Sequence, residues 1–338
     1  MWKTVGQERS IEIVSRGIRS GKLAHSYLIT GIESVGKMTL ALDIARASNC
    51  IDMTLESRPC GSCDQCFRIG ALNHTDLFIY DLQPTEEDGN KMSTTITLEQ
   101  LRDDFLKQIY RKPFEGRNRV FIIAAVERMR TEQANILLKT LEEPPDNVII
   151  LLLSKDHEGL IETIVSRCQL LRLRPVGTEI IRGYVENLVN LSDTDREEIT
   201  RLSRGRIGWA YRAATDVDFL ANVRDSIDAI ETAVTGTLED KFKHSRNLSS
   251  RFRRDRRIGH SDIDHMLTWW RDVLLVTSGI EEEVINISRL DTLRSMAASL
   301  NPSEVASTIK YVRSALRNLE KNVSPGLVYD NLMLKLPR

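Results

Sequence analysis

The sequence predicts an α/β domain with a parallel sheet, followed by domains made of helices alone. In the first half, short apolar runs alternate with segments of helical periodicity, which is typical of a parallel sheet covered on both faces. After Pro175 almost all of the apolar pattern is helical. The chain has 338 residues, enough for two or three domains. We expect an α/β domain over 1–175, a small helical domain over 176–215 and a larger one over 216–338.

The apolar runs predict five strands, and the helical periodicity predicts the segments between them. The strands are expected at 26–30, 77–80, 119–123, 148–153 and 169–173. Helices are expected from about Lys37, from Thr97, where Gln100 indicates a capping box, and over 134–142, before Pro144. In the second half, helical stripes are predicted at 180–188, 263–276 and 302–319.

Composition and charge exclude several classes of protein. The 47 Lys and Arg residues nearly balance the 48 Asp and Glu residues, giving a net charge of -1. This balance argues against attraction of nucleic acid or an anionic membrane by overall charge. It does not exclude binding through a local basic patch. No apolar run of about 18 residues is present, and the first residues do not form a signal peptide. We therefore expect no membrane partner and a cytoplasmic location.

A phosphate-binding loop is predicted between the first strand and the helix that follows it. From Gly31 the sequence reads Gly-Ile-Glu-Ser-Val-Gly-Lys, with Gly36 and Lys37 completing the Gly-x4-Gly-Lys pattern. The backbone N–H groups of such a loop surround phosphates, and its lysine reaches the outer phosphates. The alternative is a chance glycine turn before a helix. The candidate nucleotide-site residues on this segment are Gly31, Gly36, Lys37 and Thr39.

The groups that would bind magnesium at this loop are missing. Met38 stands where a Ser or Thr hydroxyl would ligate Mg²⁺, and a thioether is a poor ligand for that cation. Thr39 is a poor substitute, because one residue turns a helical side chain by about 100°. Ala124 and Ala125 follow the third strand, where an ATPase of this type carries acidic residues. Glu127 is expected to cap or flank the next helix. ATP or ADP is therefore expected to be bound without hydrolysis, if it is bound.

Four cysteines between the first helix and the second strand predict a structural zinc site. Thiolates at this spacing can surround one Zn²⁺ tetrahedrally and leave no open position for chemistry. Ordinary buried or redox-active thiols, and replacement of one ligand by His74, are the alternatives. Cys168 is far away in sequence and is interpreted as a packing residue. The predicted ligands, in a module over about 50–66, are Cys50, Cys60, Cys63 and Cys66.

Together these motifs resemble bacterial clamp-loader subunits of the AAA+ family. The resemblance rests on the loop from Gly31 to Lys37, the four-cysteine insertion, the segment Ala-Asn-Ile-Leu-Leu-Lys-Thr-Leu-Glu-Glu-Pro-Pro at 134–145, and the Ser-Arg-Cys triplet at 166–168. It covers about residues 1–175, with the helical remainder fitting by pattern alone. Within the family the chain is more similar to delta prime subunits than to tau/gamma motors. The motors are expected to keep a hydroxyl after Lys37 and acids at Ala124 and Ala125.

The resemblance implies a fold and a set of roles. It implies an AAA+ P-loop domain with a zinc insertion, a helical lid domain and a helical collar that joins subunits. Arg167 of the Ser-Arg-Cys triplet would be an arginine finger, reaching the γ-phosphate bound by a neighbouring subunit. Ser154, at the end of the fourth strand, would fall at the sensor-1 position, with no acid or metal expected nearby. Arg206 does not fall on the position of the second sensor.

The resemblance also implies partners. The chain would be a scaffold in a hetero-pentamer with tau/gamma and delta subunits, as a component of the DNA polymerase III holoenzyme. It would contact the sliding clamp and primer–template DNA through that complex. An active tau/gamma-like ATPase and a zinc-stabilised DNA-binding module are the alternatives. The basic run at 241–257 would serve the second alternative, although a solvated helix face or a subunit contact is the preferred interpretation.

Overall fold

A five-stranded parallel sheet organises the first half of the chain. The computed structural model describes residues 1–81, 96, 100–188 and 191–337. Neighbouring strands lie in the order β2-β3-β4-β1-β5, and every pair is parallel. The α/β prediction is therefore confirmed. The strands are β1 (Ser26–Thr30), β2 (Leu77–Tyr80), β3 (Arg119–Ile123), β4 (Val148–Ser154) and β5 (Gln169–Arg172).

The central strands are buried on both faces, as their unbroken apolar runs require. Because side chains alternate along a strand, Tyr27 and Ile29 of β1 enter one core cluster, and Leu28 enters the other. β4 divides in the same way, with Leu151 in the first cluster and Leu152 in the second. The sheet is thus the middle layer between two apolar layers, as in other parallel α/β folds.

Helices cover this sheet and connect its strands. One predicted helix starts three residues earlier than expected, at Thr131, because the Gln133 side chain accepts a hydrogen bond from the Arg130 N–H at 2.7 Å. The capping box predicted at Thr97 lies outside the described residues, and a π-helical turn at Gln100–Phe105 continues into the next helix. The helices are α1 (Glu8–Arg19), α2 (Lys37–Asn49), α3 (Asp64–Gly70), α4 (Leu106–Ile109), α5 (Thr131–Glu142), α6 (Glu162–Val165) and α7 (Thr178–Glu186).

The rest of the described chain is helical. The predicted helix at 302–319 corresponds to the helix that Asn301 caps, since the Asn301 side chain accepts a hydrogen bond from the Glu304 N–H at 3.0 Å. Trp269 and Trp270 are both buried in the core. The helices are α8 (Asp193–Ser203), α9 (Ile207–Thr215), α10 (Val217–Thr235), α11 (Leu238–Arg254), α12 (Arg256–Thr277), α13 (Leu290–Ser299), α14 (Pro302–Glu320) and α15 (Pro325–Lys335).

The chain forms two compact units. The first comprises Met1–Gly183 and Arg204–Trp209, and the second comprises Tyr184–Ser203 and Ala210–Arg338. The division into domains at 176 and 216 stays a prediction. Among the helices of the described chain, none combines the length and the apolar character that crossing a bilayer requires.

A short segment from the middle of the chain belongs to the first unit. Gly205 accepts a hydrogen bond from the Val176 N–H at 2.9 Å. Its φ is +77°, and a β-carbon there would lie 2.5 Å from the Val176 carbonyl oxygen. A glycine is needed here for both reasons, the left-handed backbone and the close approach.

Candidate functional site

The predicted phosphate loop lies at the carboxyl edge of the sheet. β1 ends at Thr30, the loop follows, and α2 begins at Lys37. Gly31 and Gly36 have φ values of +153° and +108°, which favour glycine. A β-carbon on Gly31 would also lie 2.8 Å from the Leu173 carbonyl oxygen, so the loop is held closely against the chain that leaves β5.

Lys37 is bound to its own loop. Its Nζ donates hydrogen bonds to the carbonyls of Gly31 and Ile32, the second at 2.9 Å. Burial lowers the pKa of Lys37, and the carboxylates of Glu127 and Glu33 oppose that shift. A phosphate would therefore have to replace two carbonyl partners of this ammonium group.

Ser154 lies beside the loop and is in contact with an acid. It pairs in register with Thr30, and its carbonyl accepts a hydrogen bond from the Gly31 N–H at 3.2 Å. Its hydroxyl donates to the Glu127 carboxylate at 3.1 Å, and the same carboxylate oxygen accepts from the Lys155 N–H at 3.3 Å. The expectation that Ser154 has no acid nearby was wrong.

Glu127 is the residue of this site that the sequence pattern did not identify. It was expected to cap or flank the next helix, and it lies in a short 3₁₀ turn, Val126–Arg128, that precedes α5. Its contact with Ser154 was not expected. Ala125 just before it has a φ of +51°, and this left-handed residue turns the chain out of β3. A left-handed alanine has no recognisable sequence signal, because glycine or asparagine is the usual choice there.

The magnesium ligands expected of an ATPase are replaced by apolar side chains. Met38 packs against the core cluster on one face of the sheet. Ala124 is buried after β3, where its N–H donates to the Tyr80 carbonyl at 2.8 Å. Thr39 lies half-buried on α2, one residue beyond Met38, and its role in nucleotide binding stays a prediction. Within the described residues, the carboxylate in contact with Ser154 at this end of the sheet belongs to Glu127.

The segment at 204–209 lies directly on the phosphate loop. The Gly208 N–H donates to the Ser34 carbonyl at 2.8 Å, and a β-carbon on Gly208 would lie 3.0 Å from that same oxygen. Ile207 reaches within 3.4 Å of the position a β-carbon on Gly36 would take. A hydrogen bond between two backbone groups thus joins this segment to the phosphate loop.

Arg167 lies on a turn at the amino end of the parallel strands, opposite the end that carries the phosphate loop. The Ser26 hydroxyl at the start of β1 donates to the Arg167 carbonyl at 2.8 Å. The phosphate loop begins after Thr30, so Arg167 and the loop lie at opposite ends of β1, about 13 Å apart along the strand. This chain therefore does not bring its own Arg167 to its own phosphate loop.

The Arg167 side chain is held by its own chain but is still accessible. Its guanidinium forms an ion pair with Glu142 at 2.7 Å and donates to the Thr163 carbonyl at 3.0 Å. About a third of the side chain is exposed. Glu142 ends α5, within the 134–145 motif. Cys168, next to Arg167, packs against the core, in agreement with its interpretation as a packing residue, and burial raises the pKa of its thiol to about 11.

The four cysteines of the predicted module converge. Their Sγ atoms all lie within 4.8 Å of one another. The Cys50–Cys63 and Cys60–Cys66 sulfur pairs are each 4.0 Å apart. Tetrahedral Zn–S bonds of about 2.3 Å place thiolates about 3.8 Å apart, so the donor set fits one zinc ion. Cys50 follows α2, Cys63 caps α3 and Cys66 lies within it.

Backbone N–H groups are directed at the sulfurs. The Cys63 N–H lies 3.3 Å from the Cys60 Sγ, and the Cys66 N–H lies 3.5 Å from the Cys63 Sγ. For Cys60, desolvation raises the pKa, but N–H donors from residues 62 and 63 outweigh it and lower the pKa to about 6. Burial raises the pKa of Cys66. His74 is not a fourth ligand, because its ring contacts Gln65 and accepts the Asp76 N–H at 3.0 Å.

Comparisons with known proteins agree with these motifs. A family model described as "DNA polymerase III, delta subunit" matches residues 6–177. The chain is 26% identical to "DNA polymerase III subunit delta'" of Bacillus subtilis, over 99% of this chain and 98% of that protein. It is 29% identical to "DNA polymerase III subunit tau" of Salmonella typhimurium, over 98% of this chain. The chain spans about half the length of the tau subunits that it matches.

Solved structures of low identity cover most of the same chain. A gamma subunit-related protein of Thermotoga maritima is 17% identical and covers 96% of this chain and 99% of its own, with a TM-score of 0.44. The family match covers half of the sequence and includes the phosphate loop, the cysteine cluster and the Ser-Arg-Cys triplet. The chain therefore belongs to the DNA polymerase III delta subunit family of clamp-loader AAA+ proteins.

Proposed function

We propose that the chain is a delta prime-like scaffold subunit of the clamp loader, and that it supplies Arg167 to a neighbouring ATPase. Hydrolysis would take place in the neighbour and not in this chain. The position of Arg167 carries the proposal, since its partly exposed side chain lies at the end of the sheet opposite the chain's own phosphate loop. An arginine in that position is available to another subunit.

The degenerate loop supports the non-hydrolysing part of the proposal. Met38 and Ala124 offer no oxygen ligand for magnesium, and Lys37 is bound to loop carbonyls. The helical region at 216–338 would form the collar that joins tau/gamma and delta subunits in a hetero-pentamer. The sliding clamp and primer–template DNA would be partners through that complex. Zn²⁺ bound by the four cysteines would be structural.

ATP turnover by a reconstituted clamp loader tests the arginine finger. Arg167→Ala in this chain should lower turnover at the affected site by about 10- to 1,000-fold, because the guanidinium stabilises charge on the transferred phosphoryl group. Turnover is measured with clamp and primed DNA present. The total falls less if other sites keep hydrolysing ATP.

A matched variant and an assembly check accompany this experiment. Arg9→Ala removes an exposed arginine of α1 and should leave turnover unchanged. Both variants must enter the complex in normal amount, as judged by size-exclusion chromatography. Normal turnover and clamp loading by the Arg167→Ala complex would show that Arg167 is structural.

An active tau/gamma-like ATPase is the second candidate, and Glu127 is the observation that favours it. Its carboxylate lies at the loop edge, in contact with Ser154, and interacts electrostatically with Lys37. The isolated chain would then hydrolyse ATP with magnesium, and Lys37→Ala and Glu127→Gln would each abolish that turnover. Activity no higher than that of Lys37→Ala removes this candidate.

The structure weakens the support for the other alternative function, a zinc-stabilised DNA-binding module. Lys241 is buried and donates to the Pro337 carbonyl at 2.9 Å, and Arg251 pairs with Asp262 at 2.9 Å. The basic run at 241–257 therefore offers fewer cations to phosphate than its sequence implies. Charge reversal of two of its exposed members, Lys243 and Arg246, should leave DNA affinity unchanged under our proposal.

A further inference from the structure

The loop between α4 and β3 exposes aromatic rings among basic side chains. Phe114 is 85% exposed and Tyr110 is 65% exposed, both far above what is usual for rings of this size. Arg111, Lys112 and Arg117 are exposed in the same loop. None of these three cations forms an ion pair with a carboxylate in the part of the chain that the structure describes.

This loop is fixed by a buried carboxylate. Asp76 accepts hydrogen bonds from the N–H groups of Phe114, Glu115 and Gly116, at 2.8–3.0 Å. Asp76 is 1% exposed and also pairs with Arg119 at 3.6 Å. The backbone that carries Phe114 is therefore held in place while its ring points into solvent.

A second contact joins the loop to the cysteine module. Glu115 forms an ion pair with Arg68 of α3 and accepts a hydrogen bond from the Thr75 hydroxyl at 2.6 Å. The acid of this loop is thus neutralised within the chain. Phe67, which precedes Arg68 on α3, is 69% exposed.

We propose that exposed residues of this loop form a binding surface for single-stranded nucleic acid, which we call the aromatic-basic surface: Tyr110, Arg111, Lys112, Phe114 and Arg117. Bases stack on exposed rings whatever their sequence, and the cations contact the phosphates between them. Charge complementarity selects a polyanion over a neutral partner. A rigid loop binds without first ordering its backbone, which favours affinity.

This surface is distinct from the site of the proposed function. The loop enters β3 at the amino end of the strands, whereas the phosphate loop follows the carboxyl end of β1. Arg167 also lies at the amino end, but it is beside the start of β1, and β4 separates β1 from β3 in the sheet. Binding here therefore needs neither ATP nor Arg167. Loss of one activity without the other would separate the two proposals.

Fluorescence anisotropy of a labelled oligothymidylate of about 16 nucleotides tests the surface on the full chain. Phe114→Ala should weaken binding by about 5- to 150-fold, the range reported for loss of one stacked base. Arg111→Glu with Lys112→Glu should abolish binding at physiological salt. It should also reduce the slope of log affinity against log salt concentration by about 1 to 1.5.

Two controls make the result specific. Lys243→Glu with Arg246→Glu makes the same charge change on α11 and should leave affinity unchanged. Crosslinking of an oligonucleotide containing 5-iodouracil should map to the peptide that carries Tyr110 and Phe114. Each variant changes exposed side chains, so thermal unfolding of the chain should be unaltered.

Three outcomes would overturn the proposal. One is absence of oligothymidylate binding at about 50 mM salt, which would assign the exposed rings to a protein partner. Another is equal affinity of wild type and Phe114→Ala. The third is an equal loss of affinity in the α11 control, since the contact would then be general electrostatic attraction.

Discussion

At the scale of single residues, the ion pair between Arg167 and Glu142 links two motifs that are separate in sequence. Glu142 ends α5 and Arg167 follows α6, and their side chains meet at 2.7 Å. The guanidinium uses one nitrogen for Glu142 and the other for the Thr163 carbonyl. Its orientation is therefore set before any neighbouring subunit is present.

Glu142→Gln should lower ATP turnover of the reconstituted clamp loader by about 3- to 10-fold. The amide keeps an acceptor but loses the charge that orients Arg167, and a half-exposed pair of this kind contributes about 1 kcal/mol. Glu143→Gln makes the same change at the next, exposed residue and should have no effect. A rise in turnover would show that the ion pair restrains Arg167 instead of positioning it.

His244 is a buried residue that predicts a pH dependence of stability. Burial, and then the nearby charge of Arg251, lowers the pKa of His244 to about 4, whereas an unfolded histidine titrates near 6.5. The folded chain keeps His244 neutral while the unfolded chain binds a proton. His244 therefore costs no stability above about pH 6.5. Its protonation in the unfolded chain lowers the free energy of unfolding by about 3 kcal/mol as the pH approaches 4.

Urea unfolding from pH 7 to pH 4 measures this contribution. The free energy of unfolding of His244→Gln should depend less on pH than that of wild type, with the difference confined to that window. His25→Gln, at an exposed histidine, should behave as wild type. Parallel pH profiles for wild type and His244→Gln would contradict the assignment.

At the scale of elements, the cysteine module illustrates a segment with little core of its own. Ile51 and Met53 within it are exposed, and Cys50 and Cys66 are its buried cysteines. A metal ion held by the four cysteines would cross-link the end of α2 and the start of α3. The stability of this element should depend on the ion.

Protein purified without added zinc should contain one zinc ion per chain by mass spectrometry of the metal. Cys66→Ser should lower that content, and removal of zinc by a chelator should speed hydrogen exchange at residues 50–70. Cys168→Ser removes a thiol outside the cluster and should leave the zinc content at one. A metal-free wild-type protein with slow exchange over 50–70 would refute the structural role.

At the scale of the whole molecule, the chain passes between its two units more than once. Residues 184–203 belong to the second unit, but residues 204–209 return to the first. Two backbone hydrogen bonds fix the returning segment, from Val176 to Gly205 and from Gly208 to Ser34. A single cut after the α/β domain therefore removes part of the first unit.

A fragment of residues 1–215 should unfold at a higher temperature than a fragment of residues 1–203. The longer fragment retains two hydrogen bonds, each contributing about 0.5–1.5 kcal/mol, together with the burial of Ile207. Circular dichroism during heating measures the difference. Equal midpoints would mean that residues 204–209 add nothing to the first unit.

The sequence predicted what depends on composition and spacing, and missed what depends on turns. The five strands were predictable because their apolar runs are unbroken, and the cysteine cluster because its spacing is specific to metal binding. Glu127 was missed because its position depends on the left-handed turn at Ala125. The return of residues 204–209 to the first unit was missed because two backbone hydrogen bonds carry it, and these leave no side-chain pattern.

The apolar replacements at the phosphate loop also have an evolutionary consequence. Met38 lies on α2 and is partly buried against the core, while Ala124 and Ala125 follow β3. To gain magnesium chemistry, a chain built this way would have to change several residues on two elements, and an acid at the buried Ala124 would stand in an apolar setting. No single substitution at these three positions would restore all of the missing oxygen donors. Under the proposed role, loss of catalysis would act as a ratchet, keeping the chain dependent on the neighbours whose hydrolysis it would serve.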